Sequence, residues 1–528
     1  MSAPASAGRF LGIDVGTASS KAVLVAEDGT VVASATRPHE TANPRPGYFE
    51  HDPEGVWWAD TVALLRDLRE RAGLSAVAGV CASGIGPVAL LTDAAGRPLR
   101  PAILYGIDTR AGREIGELTA RLGAERVAEA AGNPLTSQAV GPKLMWARRH
   151  EPETWARARR WYQASSWLVH RLTGEYVMDR YSASASDPMY ALDAHDWWDP
   201  AWEALRSEGA PGLERPRLAA PGEVVGEVAP AAADTLGLPA GVPVLAGTID
   251  ALAEAYSVGV RDVGDMMVMY GSTMFFIQHA AAPARHPGLW NNASLTGRGF
   301  SVAAGMATSG LVTGWLRDLT GVGYAELAAE AERVAPGSDG LVLLPYFAGE
   351  RTPVADPGAR GVWAGLTLRH TRAHLYRSIL EGVAFGVRHN IEAMAEAGAD
   401  PARLVAVGGG ATALWPRIVT DVTGRPQDLP STTVGASYGD ARLVADALGV
   451  DTSTWNPVKE RLEPDPVPRD RYDELYGVYR RTYQALRTDL HLLAEIQTGG
   501  RPAERSADLT ADPVDSVARI NRDDRESG

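Results

Sequence analysis

The feature that most restricts the fold of this chain is a β-hairpin pattern that occurs twice, about half the chain length apart. Between residues 10 and 26, two apolar strand patterns flank a tight turn at Thr17. Residues 265–279 repeat this arrangement around a turn at Thr273, and each hairpin is followed by a further strand pattern and a helical pattern. The alternative is a chance recurrence of two glycine-containing hairpins. We predict an α/β fold built from two related units, one in each half of the chain.

Length and composition narrow the class of protein. A chain of 528 residues predicts more than one domain. The net charge of −14 argues against a broad nucleic-acid surface, and no uncharged apolar stretch reaches the ~18 residues of a membrane helix. The N-terminus has neither the basic start nor the apolar core of a secretory signal, and the single cysteine, Cys81, is expected to be a buried small side chain. We therefore expect a cytoplasmic protein without nucleic-acid or membrane partners.

Asp14 is the first candidate for chemistry, because it stands at the end of a buried strand. A carboxylate there is costly unless something compensates it, and the following Gly16-Thr17 turn offers N–H groups and a hydroxyl to phosphate oxygens. This pattern predicts a Mg-nucleotide site, although an Asp that caps a turn has the same spacing. A second turn, at residues 271–273, strengthens the prediction, since two hairpins that face each other could hold a polyphosphate from both sides.

A glycine run in the second half of the chain suits a nucleotide as well. Residues 408–411 follow the strand-like RLVAVG and precede the helical run PRIVTDVTG. Residues without side chains let a flat ring approach the backbone, and a helix N-terminus favours anionic groups. The alternative is a flexible turn.

Asp250 is the third candidate. It ends the apolar strand PVLAGTID and precedes a helical run of small residues, so its carboxylate is expected at a helix N-terminus on the edge of a sheet. One interpretation is a helix cap. The other is a general base that takes the proton of a hydroxyl group as that group attacks a phosphate.

Longer phrases identify a family. In order over roughly residues 10–450, the chain contains LGIDVGTASSKAVLV, PRPGYFEHDPEGVWW, RPAILYGIDTRA, GPKLMWARRHEPE, PYFAGERTPVADPGARGVWAGL and VGGGA. These phrases resemble the FGGY family of carbohydrate kinases, and within it most closely the xylulokinases. The resemblance implies an α/β fold of two ribonuclease-H-like lobes, as in hexokinase, Hsp70 and actin, with ATP and sugar between them. We expect lobes at 9–254 and 255–497 and a disordered tail at 498–528.

The resemblance also implies roles for individual residues. Asp250 matches the family's general base, and Asp14 would organise Mg²⁺ and ATP. Asp108 and Arg110 fall near an acidic and basic pair on the sugar side, although YGIDTR has one residue more than the xylulokinase pattern WNDGR. The remaining positions expected at the nucleotide are Thr17, Gly271, Thr273, Gly310, Gly314, Gly408, Gly409, Gly410 and Ala411.

The chain departs from the xylulokinase pattern at the expected substrate pocket. Where xylulokinases have Gln, Met and His in SGQMHG, this chain has Ile85, Gly86 and Pro87, and the Asp-Asn at the base is Asp250-Ala251. We therefore expect ATP- and Mg²⁺-dependent phosphorylation of a terminal hydroxyl of a small sugar, with a ketopentose as the first expectation. The alternatives are another ketose or polyol (ribulose, fuculose, erythritol or glycerol) and a non-catalytic sugar- and ATP-binding regulator. A homodimer is the expected assembly.

Overall fold

Two seven-stranded sheets, one from each half of the chain, form the framework of the protein. The structure is a computed structural model that describes residues 8–206, 212–295, 297–411 and 414–497. The predicted tail at 498–528 lies outside the described residues. Within the described ranges, no helix combines the length and the apolar composition needed to cross a membrane.

The first half of the chain contains most of the short strands. Its strands are β1 (Arg9–Val15), β2 (Ser19–Ala26), β3 (Val31–Pro38), β4 (Ala42–Arg45), β5 (Tyr48–His51), β6 (Val77–Gly84), β7 (Leu90–Thr92), β8 (Ala102–Ile103), β9 (Arg160–Tyr162), β10 (Val177–Asp179), β11 (Tyr190–Ala191), β12 (Asp196–Trp197), β13 (Arg217–Ala219), β14 (Val224–Glu227), β15 (Pro243–Leu245) and β16 (Thr248–Ile249). Its helices are α1 (Ala59–Ala72), α2 (Gly112–Leu122), α3 (Ala124–Ala131), α4 (Val140–His150), α5 (Pro152–Arg157), α6 (Ala164–Thr173), α7 (Arg180–Ser184), α8 (Asp199–Leu205), α9 (Pro230–Leu236) and α10 (Asp250–Ser257).

The second half has longer helices. Its strands are β17 (Asp265–Tyr270), β18 (Met274–Ala280), β19 (Trp290–Ala293), β20 (Phe300–Met306), β21 (Val342–Leu344), β22 (Val362–Ala364), β23 (Arg403–Val407), β24 (Gln427–Pro430) and β25 (Val458–Leu462). Its helices are α11 (Gly310–Thr320), α12 (Tyr324–Glu332), α13 (Arg372–Glu396), α14 (Leu414–Thr423), α15 (Ala436–Ala447) and α16 (Arg469–Gln497).

The two large sheets share one strand order. In the first, β3, β2 and β1 form an antiparallel meander, and β6 and β15 continue it in parallel. In the second, β20, β18 and β17 form the meander, and β23 and β24 continue it in parallel. Helices cover both faces, so the central strands are buried apolar runs. The predicted duplication of an α/β unit is confirmed.

Helix α15 joins the two halves, because it comes from the second half and packs on β1, β2 and β6 of the first. A Cβ atom at Gly12 of β1 would lie 1.8 Å from the carbonyl oxygen of Ser437. Likewise, a Cβ atom at Gly439 would lie 1.8 Å from the carbonyl oxygen of Ala253 in α10. Glycine at both positions therefore permits a backbone contact too close for any side chain. This contact fixes α15 against the elements that carry Asp14 and Asp250.

Candidate functional site

Asp14 and Asp250 lie on the same edge of the first sheet. Asp14 pairs with Ser83 of the parallel strand β6, and Thr248 of β16 pairs with Ser83 from the other side. Asp250 begins α10 directly after β16, as the sequence predicted. The carboxyl ends of parallel strands meet at one edge of a sheet, which is where α/β proteins bind ligands. The structure therefore brings the two predicted acids to one place.

The acids at this edge raise each other's pKa. The pKa of Asp14 is about 7, raised mainly by burial and also by the negative charge of Glu254, and lowered in part by Lys21. Burial raises the pKa of Asp250 well above its usual range, and the charge of Asp14 adds to the effect, although Oδ1 of Asp250 accepts a hydrogen bond of 2.7 Å from the N–H of Ala251. Each carboxylate makes the ionisation of the other more costly. A cation at this edge would relieve that cost.

The donor chemistry fits Mg²⁺. Carboxylate oxygens are its preferred protein ligands, and Mg²⁺ is usually held by one or two of them together with phosphate oxygens and water. Among the described residues, no group of three or more His, Cys, Asp or Glu side chains is arranged to hold an ion. The half-buried carboxylate of Asp14, with Asp250 and Glu254 near it, could hold Mg²⁺ through one or two carboxylates while phosphate oxygens and water complete its coordination.

Each hairpin turn is closed by a glycine N–H, and the first turn is one residue longer than the second. The N–H of Gly16 donates to the carbonyl of Ser19 at 3.0 Å, and the N–H of Gly271 donates to the carbonyl of Thr273 at 3.1 Å. The hydroxyl of Thr17 lies 3.5 Å from the hydroxyl of Tyr105. Small residues and hydroxyls at both turns suit phosphate oxygens.

The predicted glycine positions of the second half gather at the end of β17. The N–H of Gly310 donates to the carbonyl of Gly271 at 3.0 Å, and a Cβ atom at Gly310 would lie 2.6 Å from the same oxygen. Cβ atoms at Gly408 and Gly410 would lie 2.6 and 3.2 Å from the carbonyl oxygen of Tyr270, whereas one at Gly409 would meet no atom within 4 Å. Gly409 therefore borders open space.

Three further residues complete this region. Gly314 follows on the same helix as Gly310, and a Cβ atom there would lie 3.3 Å from the hydroxyl of Tyr324. Ala411 closes the glycine turn, because its N–H donates to the carbonyl of Gly408 at 3.1 Å. The indole N–H of Trp415 is buried with no hydrogen-bond partner in the described structure. The backbone surface that borders open space at Gly409 fits a flat nucleotide base.

A cavity next to Asp250 is the candidate acceptor pocket. It contains Gly86 and Pro87 of the predicted substrate segment, while Ile85 packs in the core of the first sheet and donates its N–H to Val15 at 2.7 Å. The residues on either side of Asp250 also border the cavity. Its lining residues are Gly86, Pro87, Asn133, Gln138, Tyr181, Ala185, Asp187, Ile249, Ala251, Phe275, Trp290, Asn292 and Ala303.

Asp108 and Arg110 bind each other and do not border this cavity. The Nη2 atom of Arg110 donates to Oδ2 of Asp108 at 2.7 Å, and its Nη1 donates to Glu50 at 2.7 Å. The N–H of Phe49 donates to Asp108 at 2.7 Å, and the guanidinium lies 4.2 Å from the centre of the Tyr48 ring. The pair is thus occupied by internal contacts that hold the loop before α2.

The structure adds polar residues that the sequence did not single out. Glu254 lies one helical turn after Asp250, a spacing of four that the sequence could have revealed. Lys143 is fully buried, donates to the carbonyl of Tyr105 at 3.1 Å, and has its pKa lowered by burial to about 7. Asp440 of α15 accepts from the hydroxyl of Ser83 at 2.6 Å, across the two halves of the chain. No local sequence pattern singles out Lys143 or Asp440.

Comparison with known proteins identifies the family of the chain. The model of the FGGY family of carbohydrate kinases, N-terminal domain, matches residues 9–256, and the C-terminal domain model matches residues 266–448. A xylulose kinase of Escherichia coli (strain K12) is 30% identical over 487 residues, covering 90% of this chain and 99% of that protein. A glycerol kinase of Nocardia farcinica is 31% identical over 486 residues, covering 84% and 93%.

A solved structure shows the same fold. The crystal structure of xylulose kinase from Rhodospirillum rubrum has a TM-score of 0.85 and 34% sequence identity, covering 92% of this chain and 100% of that chain. The two sheets with one strand order are the two lobes that the sequence resemblance implied. The chain therefore belongs to the FGGY family of carbohydrate kinases and has the two-lobed hexokinase/Hsp70/actin-like fold of that family.

Proposed function

We propose that this sugar kinase transfers the γ-phosphoryl group of ATP to a terminal hydroxyl of a small ketose or polyol, with Asp250 as the general base. A ketopentose is the first expected acceptor, since the relatives described above include xylulose kinases. The glycerol kinase among them keeps polyols as the alternative. The observation that carries the proposal is that Asp250 lies close to Asp14 while its chain neighbours Ile249 and Ala251 line the cavity.

Asp250 accepts the hydroxyl proton as the acceptor oxygen attacks the γ-phosphorus. A bond forms between that oxygen and phosphorus, the bond between phosphorus and the β–γ bridging oxygen breaks, and ADP leaves with the electron pair. The reaction asks little covalent chemistry of the protein, so position and charge decide the rate. The hydrogen bond from the N–H of Ala251 holds one oxygen of the Asp250 carboxylate, and the other is left for the proton.

The two hairpins and the glycine surface bind the nucleotide in this proposal. Thr17 on one side, and Gly271 and Thr273 on the other, contact the phosphates, while residues 408–411 lie against the adenosine. Asp14 holds Mg²⁺, which when bound neutralises the phosphate charge. Gly310 keeps the start of α11 close to the second hairpin, and Gly314 lies one turn further along that helix, beside the nucleotide in this proposal.

The proposal includes expectations on assembly and location. We expect a homodimer, which the mass of the protein in solution tests, and we expect the cytoplasm, where ATP and sugar are both present. The lobes at 9–254 and 255–497 are the proposed structural division.

The test is ATP-dependent phosphorylation across a panel of pentuloses, hexuloses, tetritols and glycerol, measured as ADP release. We expect turnover of at least one compound by the wild type. Asp250→Asn should lower kcat by about 10²- to 10⁴-fold, the usual contribution of a general base, and leave ATP affinity nearly unchanged. Asp234→Asn, at an exposed position of α9, is the matched control. Normal turnover by Asp250→Asn would reject the base assignment, and ATP binding without turnover of any compound would favour the regulator.

A further inference from the structure

The acceptor cavity contains a carboxyl group for which the proposed mechanism has no use. Among the described residues that line it, Asp187 is the single one with an ionisable acid or base other than Tyr181. The residue is 6% exposed. Buried carboxyl groups are costly unless hydrogen bonds compensate them, so the partners of Asp187 decide what it can do.

Asp187 has few such partners. The Nδ2 atom of Asn133 lies 3.4 and 3.3 Å from its two carboxyl oxygens, which are long hydrogen bonds. Burial raises the pKa of Asp187 well above its usual range. A carboxyl group in the neutral form can both donate and accept one hydrogen bond, as a sugar hydroxyl or carbonyl requires.

Asn133 is occupied by a contact between the lobes. Its Oδ1 accepts the N–H of Asn291 at 2.6 Å, and its Nδ2 donates to the carbonyl of Asn291 at 2.9 Å. This short pair uses one Nδ2 hydrogen and leaves the other for the long contacts to Asp187. The carboxyl group of Asp187 therefore keeps hydrogen-bonding capacity for a ligand.

The rest of the cavity lining combines uncharged polar side chains, among them Gln138 and Asn292, with apolar ones. Its two aromatic residues, Phe275 and Trp290, stack with ring centres 6.2 Å apart and an angle of 26° between their planes. Aromatic faces suit the C–H faces of a sugar. An uncharged polyhydroxy compound matches a pocket of uncharged polar and apolar side chains.

A carboxylate on the acceptor would meet no cation there. The described lining includes no Lys, Arg or His. The guanidinium of Arg351 lies 5.9 Å from the centre of the Trp290 ring, but it does not line the cavity and donates to the carbonyl of Met306 at 2.7 Å. The acids Asp14, Asp250 and Glu254 nearby would repel a second anion.

We propose that Asp187 hydrogen-bonds a hydroxyl or carbonyl of the phosphoryl acceptor and that its pocket selects uncharged ketoses and polyols over aldonates. This inference rests on the proposed function for the identity of the ligand as an acceptor. The competing interpretation is purely structural: Asp187 and Asn133 would only join the lobes.

The experiment measures binding and turnover separately. Calorimetric titration without nucleotide uses D-xylulose, D-ribulose, erythritol, glycerol and D-gluconate with the wild type, Asp187→Ala, Asp187→Asn and the control Asp234→Asn. We expect the wild type to bind at least one uncharged compound and not D-gluconate. Asp187→Ala should weaken that binding by about 10- to 100-fold, the usual effect of one lost buried hydrogen bond to a substrate group. Asp187→Asn, which keeps the side-chain shape, should recover part of it.

Kinetics with ATP and the melting temperature distinguish the interpretations. Asp187→Ala should raise KM for the acceptor and change the ratio of kcat/KM between acceptors, with KM for ATP unchanged. A lower melting temperature with unchanged acceptor affinity and ratios would support the structural role and overturn the inference. Binding of D-gluconate as tight as that of the best uncharged compound, or no binding of any uncharged compound by the wild type, would also overturn it. Binding that depends on Asp187 without phosphorylation would reject the proposed function and leave the inference standing.

Discussion

The two hairpins occupy the same place in their sheets but have opposite chemistry. Asp14 is the second-to-last residue of β1, and Tyr270 is the last residue of β17. Asp14 lies among other acids, with a pKa raised by burial to about 7. Tyr270 is fully buried, donates its hydroxyl to Gln427 at 2.9 Å, and offers its carbonyl to the N–H of Gly410 at 3.0 Å.

The difference shows that the two lobes of a duplicated fold can have different roles. Both lobes supply a turn of small residues and hydroxyl side chains, which needs no particular side chain before it. In the proposed mechanism, the acids of the first lobe handle a proton and a cation, while the second lobe presents glycine backbone to a flat ligand. Changes beside the two turns should therefore have unequal effects.

The largest contrast is expected between Asp14→Asn and Tyr270→Phe. Asp14→Asn should lower kcat by about 10²- to 10³-fold, the range found when one electrostatic group is lost from an active site. Tyr270→Phe should leave kcat nearly unchanged and lower the free energy of unfolding by about 1–3 kcal/mol, because Gln427 loses a buried partner. Steady-state kinetics and chemical denaturation measure both. Equal losses of kcat in the two variants would contradict the different roles of the two lobes.

A smaller effect is expected within the second lobe, from alanine at two glycines. Gly310→Ala puts a Cβ atom 2.6 Å from the carbonyl oxygen of Gly271, so the hairpin must move. We expect KM for ATP to rise roughly tenfold, equivalent to about 1.4 kcal/mol, together with a lower melting temperature. Gly409→Ala adds its methyl group to open space, so the melting temperature should not change. If Gly310→Ala changed kcat and left KM for ATP unaltered, the second lobe would have a role in chemistry.

The smallest effect is expected in the pH dependence, which only the first lobe should control. Because the pKa values of Asp14 and Asp250 are raised, their ionised forms are present at high pH, and those forms are lost as pH falls through about 7 for Asp14. Turnover should therefore fall on the acidic side at a higher pH than for an ordinary Asp. Lys21→Met removes a cation that lowers the pKa of Asp14, so this acidic limb should move to higher pH.

The matched control for that experiment is Lys459→Met, an exposed lysine of β25. Its pH–rate profile should coincide with that of the wild type. A profile for Lys21→Met that also coincides would show that Asp14 does not set the acidic limb.

Local sequence patterns predicted the elements that carry the site, but not its long-range partners. The hairpins, the position of Asp250 at a helix start and the turn at residues 408–411 follow from apolar periodicity and glycine, which act over a few residues. The contacts of Arg110 could not be predicted from local patterns, because its partner Glu50 lies in β5, 60 residues earlier in the chain.

The substrate pocket shows the same limit. Ile85 and Gly86 are neighbours, yet one side chain enters the core and the other position borders the cavity, since the regular strand β6 ends at Gly84. Asp187 and Asp440 gain their importance from tertiary contacts with residues far along the chain. The local sequence pattern around a residue does not reveal such tertiary contacts.

The backbone contact between Gly12 and Ser437 has a consequence for synthesis on the ribosome. The first sheet begins at Arg9, yet one of its faces is covered by α15, which ends at Ala447. While the chain is being made, that face, with Phe10, Val23 and Val25, stays without its cover until most of the protein has been translated. Exposed apolar surface on unfinished chains promotes aggregation. We therefore expect the nascent first lobe to need protection from aggregation until α15 has been synthesised.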